Sequence, residues 1–152
     1  VLADFDYVHS LDSCRLAERL NRLASKSNRA LPVLLECNMS GEASKYGFQA
    51  DRFEQDVNQW KNLIKVVESI LNQPALKVRG LMTMAPIGSH PEQARPHFQR
   101  LRCLRDRLSQ HFPKSTWSDL SMGMTDDFEV AIEEGAAFVR VGRAIFGDRD
   151  IK

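Results

Sequence analysis

The fold of this chain is decided by the stretch Asp119-Leu-Ser-Met-Gly-Met-Thr-Asp-Asp-Phe-Glu-Val-Ala-Ile-Glu-Glu-Gly-Ala-Ala-Phe-Val-Arg-Val-Gly-Arg-Ala-Ile-Phe-Gly147. Residues 118–122 and 137–141 are predicted to form two strands. The segment between them has helical character and reaches Gly135, where a residue in the left-handed conformation is favoured after a helix. Strand, helix and strand in this order indicate a parallel β/α unit.

The first predicted strand runs into a turn that contains a glycine. Ser121, Met122 and Gly123 are expected to turn the chain, and Gly123 leaves room for a ligand because it has no Cβ. Asp126 and Glu129 are three residues apart, which is the spacing of a capping box at a helix N-terminus. The sequence therefore predicts a turn that leads directly into a short helix.

The second predicted strand is followed by a turn at Gly142, and Arg140 and Arg143 flank that turn. The carboxyl ends of neighbouring parallel strands meet at one edge of a sheet, so the two turns would present their N–H groups to one region. A helix N-terminus adds partial positive charge there, and guanidinium groups add charge-assisted bonds. The pattern predicts a phosphate site, although glycine and arginine at strand ends also occur for purely structural reasons.

The rest of the chain repeats the alternation of strands and helices. Polar loops separate these elements, and residues 40–47 are expected to lie over the carboxyl end of the sheet. Strands and helices in alternation imply a parallel sheet with right-handed crossovers, in a doubly wound sheet or in part of a β/α barrel. Further strands are predicted at 5–9, 32–37 and 76–83, and helices at 16–25, 53–71 and 96–112.

Length and charge limit the possible classes of function. The chain has 152 residues, 43% of them hydrophobic and 27% charged, which fits a single domain over residues 1–152. The formal net charge is +1, so the sequence predicts no nucleic-acid partner. We also expect no membrane partner, since no apolar run is long enough to cross a bilayer.

Two residue types in this chain have an ordinary structural interpretation. Arginines recur along residues 95–107, and we interpret them as a solvated helix face and not as a nucleic-acid stripe. Cys14, Cys37 and Cys103 are widely spaced and odd in number, which disfavours a disulfide framework and favours a cytoplasmic setting. Cys37 lies in an apolar strand and is interpreted as a small core residue.

Five motifs in order carry a resemblance to a known family. Together they resemble the YggS/PROSC family of pyridoxal phosphate homeostasis proteins, over essentially the whole chain. The resemblance implies a (β/α)8 TIM-type barrel like the N-terminal domain of alanine racemase. The motifs are Phe5-Asp-Tyr-Val-His-Ser-Leu-Asp, Asn38-Met-Ser-Gly-Glu-Ala-Ser-Lys-Tyr-Gly, Arg79-Gly-Leu-Met-Thr-Met-Ala, Leu120-Ser-Met-Gly-Met-Thr-Asp-Asp-Phe-Glu-Val-Ala-Ile and Val139-Arg-Val-Gly-Arg-Ala-Ile-Phe-Gly.

The resemblance also implies where a cofactor would bind. Members of the family hold the phosphate of pyridoxal 5′-phosphate on the turns after the seventh and eighth barrel strands. Which of the two arginines lies by the ring and which by the phosphate stays open. The matching residues in this chain are Ser121, Met122, Gly123, Arg140, Gly142 and Arg143.

One element of the family pattern is missing from this sequence. The family's Schiff-base lysine lies in a Val-Ser-Lys type motif on the first barrel strand, and no such motif occurs here. The chain starts at Val1 and is expected to be part of a longer protein, covering about strands four to eight. Lys45 and Lys77 are interpreted as ordinary exposed lysines, so no catalytic residue is assigned. We therefore expect this chain to hold pyridoxal phosphate loosely, through its phosphate.

Three functions remain open at this point. The leading one is a carrier or regulator of pyridoxal phosphate that turns over no substrate. The second is an amino-acid racemase or decarboxylase of the same fold, and the third is a cofactor-free phosphate-binding barrel enzyme. The third requires paired carboxylates, for which Asp119 and Glu36 are the candidates. An open barrel with exposed edges at 5–9 and 137–141 and an apolar interior is also expected to be marginally stable, or to associate.

Overall fold

Parallel strands form one curled sheet in the computed structural model, which describes residues 5–86, 88 and 90–147. The strand order is β1-β2-β4-β5-β6, and the short β3 pairs with the end of β2. Each pairing is parallel, so the predicted β/α architecture is confirmed as part of a TIM-type barrel. The strands are β1 (Val8–Leu11), β2 (Leu31–Asn38), β3 (Phe48–Gln49), β4 (Leu76–Met82), β5 (Asp119–Met124) and β6 (Phe138–Arg140).

Helices cover the outer face of this sheet and form the hydrophobic core with it. The apolar side chains of each long helix recur every three or four residues, as Ala17, Leu20 and Ala24 do, and all three are buried. They pack against outward-facing residues of β2 and β4 such as Val33 and Val78. The helices are α1 (Cys14–Lys26), α2 (Val57–Leu71), α3 (Arg95–His111), α4 (Phe128–Glu133) and α5 (Arg143–Phe146), with a 3-10 turn at Pro91–Ala94.

Side-chain caps set two helix starts that the sequence analysis misplaced. Ser13 caps α1, because its Oγ accepts a hydrogen bond from the backbone N–H of Leu16 at 3.3 Å, so this helix starts at Cys14 and not at residue 16. Asp56 caps α2, so this helix starts four residues after Phe53. The prediction of a strand at 5–9 is also wrong in its bounds, since β1 runs from Val8 to Leu11.

The inner face of the sheet is more polar than the sequence predicted. Tyr7 and His9 reach across the interior to the ring of Phe138, with ring centroids 5.7 and 4.9 Å apart. The Tyr7 hydroxyl also donates a 2.6 Å hydrogen bond to the carboxylate of Asp119. These contacts join side chains near the two edge strands of the described sheet. The interior is therefore polar in part, and Phe138 keeps 37% of its surface exposed.

Two further expectations concern the core and the membrane. Cys37 is a buried core residue, as predicted, and burial raises the pKa of its thiol to about 12. Within the described part of the chain, no helix combines the length and the apolar character that crossing a membrane requires.

The arginines of α3 contact other parts of this chain. Arg100 and Arg107 are half-buried and donate to main-chain carbonyls of Met39 and Phe53, each at 3.1 Å. The prediction of a solvated helix face is therefore wrong for these two side chains. Arg107 also lies over the ring of Trp60, 4.1 Å from its centroid.

Glu134 anchors α4 to α3 through a group of ion pairs. Its buried carboxylate lies 2.9 Å from Arg95 Nη1 and accepts a 3.0 Å hydrogen bond from Gln99. Arg102 Nη1 lies 2.9 Å from the second carboxylate oxygen, although the geometry of that contact is not that of a hydrogen bond. Burial acts to raise the pKa of Glu134, but the hydrogen bonds and charges of its partners lower it overall.

Replacing Glu134 with glutamine should destabilise the chain by about 1.5–3 kcal/mol at neutral pH, because two arginines lose their buried partner. A carboxyl with a lowered pKa stabilises the fold above its unfolded pKa and loses this effect as the pH falls through its folded value. The difference between wild type and variant should therefore vanish in acid. Urea unfolding at several pH values measures it, with the exposed Glu129→Gln of the same helix as control. Equal stabilities of the two variants at pH 7 would contradict the prediction.

Candidate functional site

The two strands predicted to hold the site lie side by side. β5 and β6 pair in parallel, with Ser121 opposite Phe138 and Met124 opposite Arg140. Their carboxyl ends therefore meet at the same edge of the sheet, where β/α proteins place their ligands. A turn at residues 125–127 follows β5, and Gly142 follows β6 directly before α5.

A hydrogen-bonded cluster lies on the inner face at this edge. Arg140 donates from Nη1 to Ser121 Oγ at 2.6 Å and from Nη2 to the carbonyl of Thr83 at 2.9 Å. The Nδ1 atom of His9 lies 3.1 Å from the same Ser121 Oγ. Because this hydroxyl accepts from Arg140, its own hydrogen remains to donate to a neutral imidazole. The cluster thus joins β1, β5 and β6 with the residue that follows β4.

The charges in the cluster favour the neutral imidazole. Burial lowers the pKa of His9, and the positive charge of Arg140 lowers it further. Burial also lowers the pKa of Arg140, whose guanidinium nevertheless stays charged at neutral pH. The cluster therefore presents one fixed positive charge and a fully buried hydroxyl, which are groups that bind an anion.

Of the residues predicted around the first turn, only Ser121 is placed with Arg140 on the inner face. Ser121, Met122 and Gly123 lie within β5, so the prediction that they turn the chain is wrong. Met122 has 0% of its surface exposed and packs in the core on the helix side. Strand geometry explains this, since successive side chains point to opposite faces.

Gly123 has a packing role in this chain. A Cβ atom at this position would lie 2.6 Å from the Cβ of Ala131 and 3.1 Å from the Cα of Phe128. Both of these residues belong to α4, so the glycine allows close approach of the helix that joins the two site strands. Its φ of 94° is also one that other residues rarely adopt.

The hydrogen bonds that hold the turn after β5 are not those of the predicted capping box. Asp127 Oδ1 accepts a 2.6 Å hydrogen bond from the backbone N–H of Met124. Asp126 makes no cap to α4 and instead forms an ion pair with Arg143. The predicted capping box of Asp126 and Glu129 is therefore wrong.

Arg143 and Gly142 lie at the rim and not on the inner face with Arg140. Arg143 lines a cavity of about 540 Å³, together with His90 and Asp127. This cavity lies between the loop after β4 and the turn after β5. A Cβ atom at Gly142 would meet nothing within 4 Å, so the backbone there is open to a ligand.

The two candidate lysines have other positions and partners. Lys45 donates to the carbonyl of Met84 at 3.1 Å and pairs with Glu42 at 2.9 Å, which holds the loop 40–47. Asn38 holds the same loop, since its Oδ1 accepts from the N–H groups of residues 40 and 41. Lys77 is exposed at the amino end of β4, the end opposite the cluster, as predicted.

The carboxylates considered for a paired site lie at different ends of their strands. Asp119 is the first residue of β5 and accepts hydrogen bonds from Tyr7 and Ser118. Glu36 is near the carboxyl end of β2, and its side chain is buried. The structure therefore does not bring these two together as an acid and a base.

Sequence reasoning missed the contribution of Thr83. Its carbonyl accepts from Arg140, and its buried hydroxyl donates to the carbonyl of Cys37 at 2.7 Å. A hydroxyl residue at the end of an apolar strand was the available signal. Its main-chain role depends on how β4 lies beside β5, which no local pattern reveals.

Comparisons with known proteins agree with this geometry. The family described as alanine racemase, N-terminal domain, matches residues 1–150. A pyridoxal phosphate homeostasis protein of Aquifex aeolicus is 43% identical over 142 residues, which are 93% of this chain and 58% of that protein. The chain thus spans little more than half the length of this relative. The resemblance on which the sequence analysis drew is confirmed.

Solved structures give the same result for the fold. PipY of Synechococcus elongatus, solved without PLP, superposes with a TM-score of 0.78 at 32% identity, covering 95% of this chain and 63% of that one. The same protein with PLP bound gives a TM-score of 0.74 at 30% identity, covering 95% and 62%. The strand order, the curled parallel sheet and the sequence match over residues 1–150 lead to one conclusion: the chain belongs to the alanine racemase N-terminal domain family.

Proposed function

We propose that the protein to which this chain belongs binds pyridoxal 5′-phosphate and acts in its homeostasis. The observation that carries the proposal is the cluster of Arg140, Ser121 and His9 at the edge where β5 and β6 end. Similarity to PipY, whose structure is known with PLP bound, supports the same ligand. The names of the homeostasis relatives support the role.

In this proposal, the residues of the chain have different roles in binding. Arg140 receives the anionic end of the ligand, the hydroxyl of Ser121 turns its hydrogen from His9 toward that anion, and the open backbone at Gly142 adds N–H donors. Arg143 shields the rim and reaches the ligand only by leaving Asp126. Met122 and Gly123 act indirectly, by packing β5 against the core and α4. The cofactor, when bound, supplies an aldehyde that reacts with amines.

We further propose that this protein carries or regulates the cofactor and does not turn over a substrate. The homeostasis names of the relatives favour this role over a racemase or a decarboxylase. Among the described residues, Lys45 is engaged by Glu42 and a main-chain carbonyl, and Lys77 lies at the opposite end of its strand. Three free cysteines fit a cytoplasmic protein.

The proposal predicts that the phosphate group dominates binding by this chain. Pyridoxal 5′-phosphate should bind at least about tenfold more tightly than pyridoxal, since only the former has an anion for Arg140. Ser121→Ala should weaken phosphate-dependent binding by about tenfold, the loss expected for one hydrogen bond to a charged group. Equilibrium dialysis measures both effects.

A matched control variant is available three residues away. Ser118 is exposed and donates only to the neighbouring carboxylate of Asp119, so Ser118→Ala should bind as the wild type does. Equal binding of pyridoxal and its phosphate would refute the proposed site. So would a bound cofactor that resists dialysis through a covalent bond to this chain, because the proposal attributes retention to the phosphate.

A further inference from the structure

The imidazole of His9 contacts the hydroxyl group that the proposed site offers to its ligand. His9 lies on β1 and Ser121 on β5, and His9 Nδ1 approaches Ser121 Oγ to 3.1 Å across the curled interior. Arg140 donates to the same oxygen at 2.6 Å. Ser121 has 0% of its surface exposed, so solvent does not compensate the loss of either partner.

The hydrogen-bonding capacity of a hydroxyl group limits what these three side chains can share, since it has one hydrogen and two lone pairs. Arg140 is a donor only and occupies one lone pair of Ser121 Oγ. In the absence of a ligand, the hydrogen of Ser121 is directed to Nδ1 of the neutral imidazole. The oxygens of a phosphate or sulfate dianion only accept, so Ser121 bonds to such an anion by turning its hydrogen away from His9. Nδ1 of His9 then faces a lone pair and needs a hydrogen of its own.

The charges around His9 determine how Nδ1 obtains that hydrogen. Burial and the positive charge of Arg140 lower the pKa of the imidazole, and the carboxylate of Asp119 opposes them. The Tyr7 ring packs on His9 and stays neutral, because burial raises the pKa of its hydroxyl. Glu36 of β2 acts on Arg140 from the side of the next strand. A bound dianion offsets the charge of Arg140 and so removes one of the two causes that keep His9 neutral.

We propose that His9 takes up a proton from the solvent when an anion binds at Ser121 and Arg140. The imidazolium then donates its Nδ1–H to Ser121 Oγ, and this bond holds the hydroxyl with its hydrogen toward the anion. His9 is thus a positioning residue that acts through Ser121. The inference rests on the proposed function, and it makes the affinity of that site for anions dependent on pH.

Sulfate is a suitable probe because it stays a dianion near neutral pH, whereas a phosphate ester itself titrates at about pH 6. The proton of His9 adds to the affinity below the pKa of the free protein and is lost as the pH rises through the higher pKa of the complex. Wild type should therefore bind sulfate about tenfold more tightly at about pH 5 than at about pH 8, which corresponds to a pKa of His9 that is higher by about one in the complex.

NMR titration of the histidine rings measures this pKa with saturating sulfate and with chloride at equal ionic strength. The pKa of His9 should be higher in sulfate, and that of the exposed His111 should be the same in both salts. His9→Gln keeps a side chain that can bond to Ser121 but does not titrate, so its preference for acid should fall below about threefold. His111→Gln is the matched control and should keep the wild-type preference. In Ser121→Ala, the pKa of His9 should no longer rise with sulfate, because the hydroxyl that links it to the anion is gone.

Other outcomes would overturn the inference in distinguishable ways. Sulfate binding with an unchanged pKa of His9 refutes proton uptake and leaves the anion site intact. A full rise of this pKa in Ser121→Ala shows that charge alone couples the two groups, which refutes the positioning role. A preference for acid that persists in His9→Gln assigns the pH dependence to another group, such as Glu36. If sulfate does not bind to the wild type at either pH, the inference fails, and failure of pyridoxal 5′-phosphate to bind would show that the proposed function fails as well.

Discussion

Arg140→Met is expected to lower the affinity of this chain for pyridoxal 5′-phosphate by about ten- to a hundredfold. The guanidinium supplies the positive charge of the cluster and holds Ser121 and the carbonyl of Thr83 at the same time. Hydrogen bonds to charged groups contribute about 1.5–3 kcal/mol each, which sets the size of the effect. Equilibrium dialysis measures the affinity, and Arg22→Met on the exposed face of α1 is the control.

A second measurement separates this role from a general loss of structure. The charge of Arg140 lowers the pKa of His9, so removal of that charge should raise the pKa of the imidazole. Titration followed by NMR detects this change in a folded variant. Arg140→Lys keeps the positive charge but loses the pair of guanidinium N–H groups that reach two acceptors. This variant should bind pyridoxal 5′-phosphate with intermediate affinity. Unchanged affinity together with an unchanged pKa of His9 would contradict the geometry described.

Gly80→Ala is expected to destabilise the fold by about 3–5 kcal/mol, since it combines a steric clash with backbone strain. A Cβ atom at this position would lie 1.8 Å from the carbonyl oxygen of Asp119, which is backbone and has little freedom to move. Gly80 and Asp119 are register partners of β4 and β5. The substitution therefore forces these central strands apart.

Urea unfolding followed by circular dichroism measures the loss. Gly142→Ala is a suitable control for stability, because a Cβ there would meet nothing within 4 Å and the φ of −118° suits any residue. It should change the free energy of unfolding by less than about 0.5 kcal/mol. Equal stability of the two variants would show that β4 does not lie as close to β5 as described.

Much of the fold could be predicted from hydrophobic periodicity. The parallel order of strands and helices followed from apolar runs such as that in β2 and from the stripe on α1, because both reflect burial on a sheet or helix face. The errors lie at element ends. Ser13 and Asp56 decide where helices begin through hydrogen bonds of their own side chains, and several nearby residues could have served equally well in the sequence.

The sequence predicted some residues of the candidate site correctly and others incorrectly. The motifs singled out Ser121 and Arg140, and the structure joins them by a hydrogen bond. Met122 and Gly123 looked equally suitable, because a strand and a glycine-containing turn are hard to tell apart over three residues. The tight contact of Gly123 with Ala131 depends on how α4 packs against β5. No local pattern contains that information.

The hydrogen bond from Tyr7 to Asp119 joins residues that are 112 positions apart in the chain. A sheet built from successive β/α units would otherwise fray from either edge, one unit at a time. Tyr7 directly precedes β1 and Asp119 begins β5. Separation of β1 from the sheet therefore also breaks a contact to β5, on the other side of the sheet. A ligand at the proposed site would bind beside His9 of β1 and Arg140 of β6, so its binding is expected to oppose this cooperative unfolding.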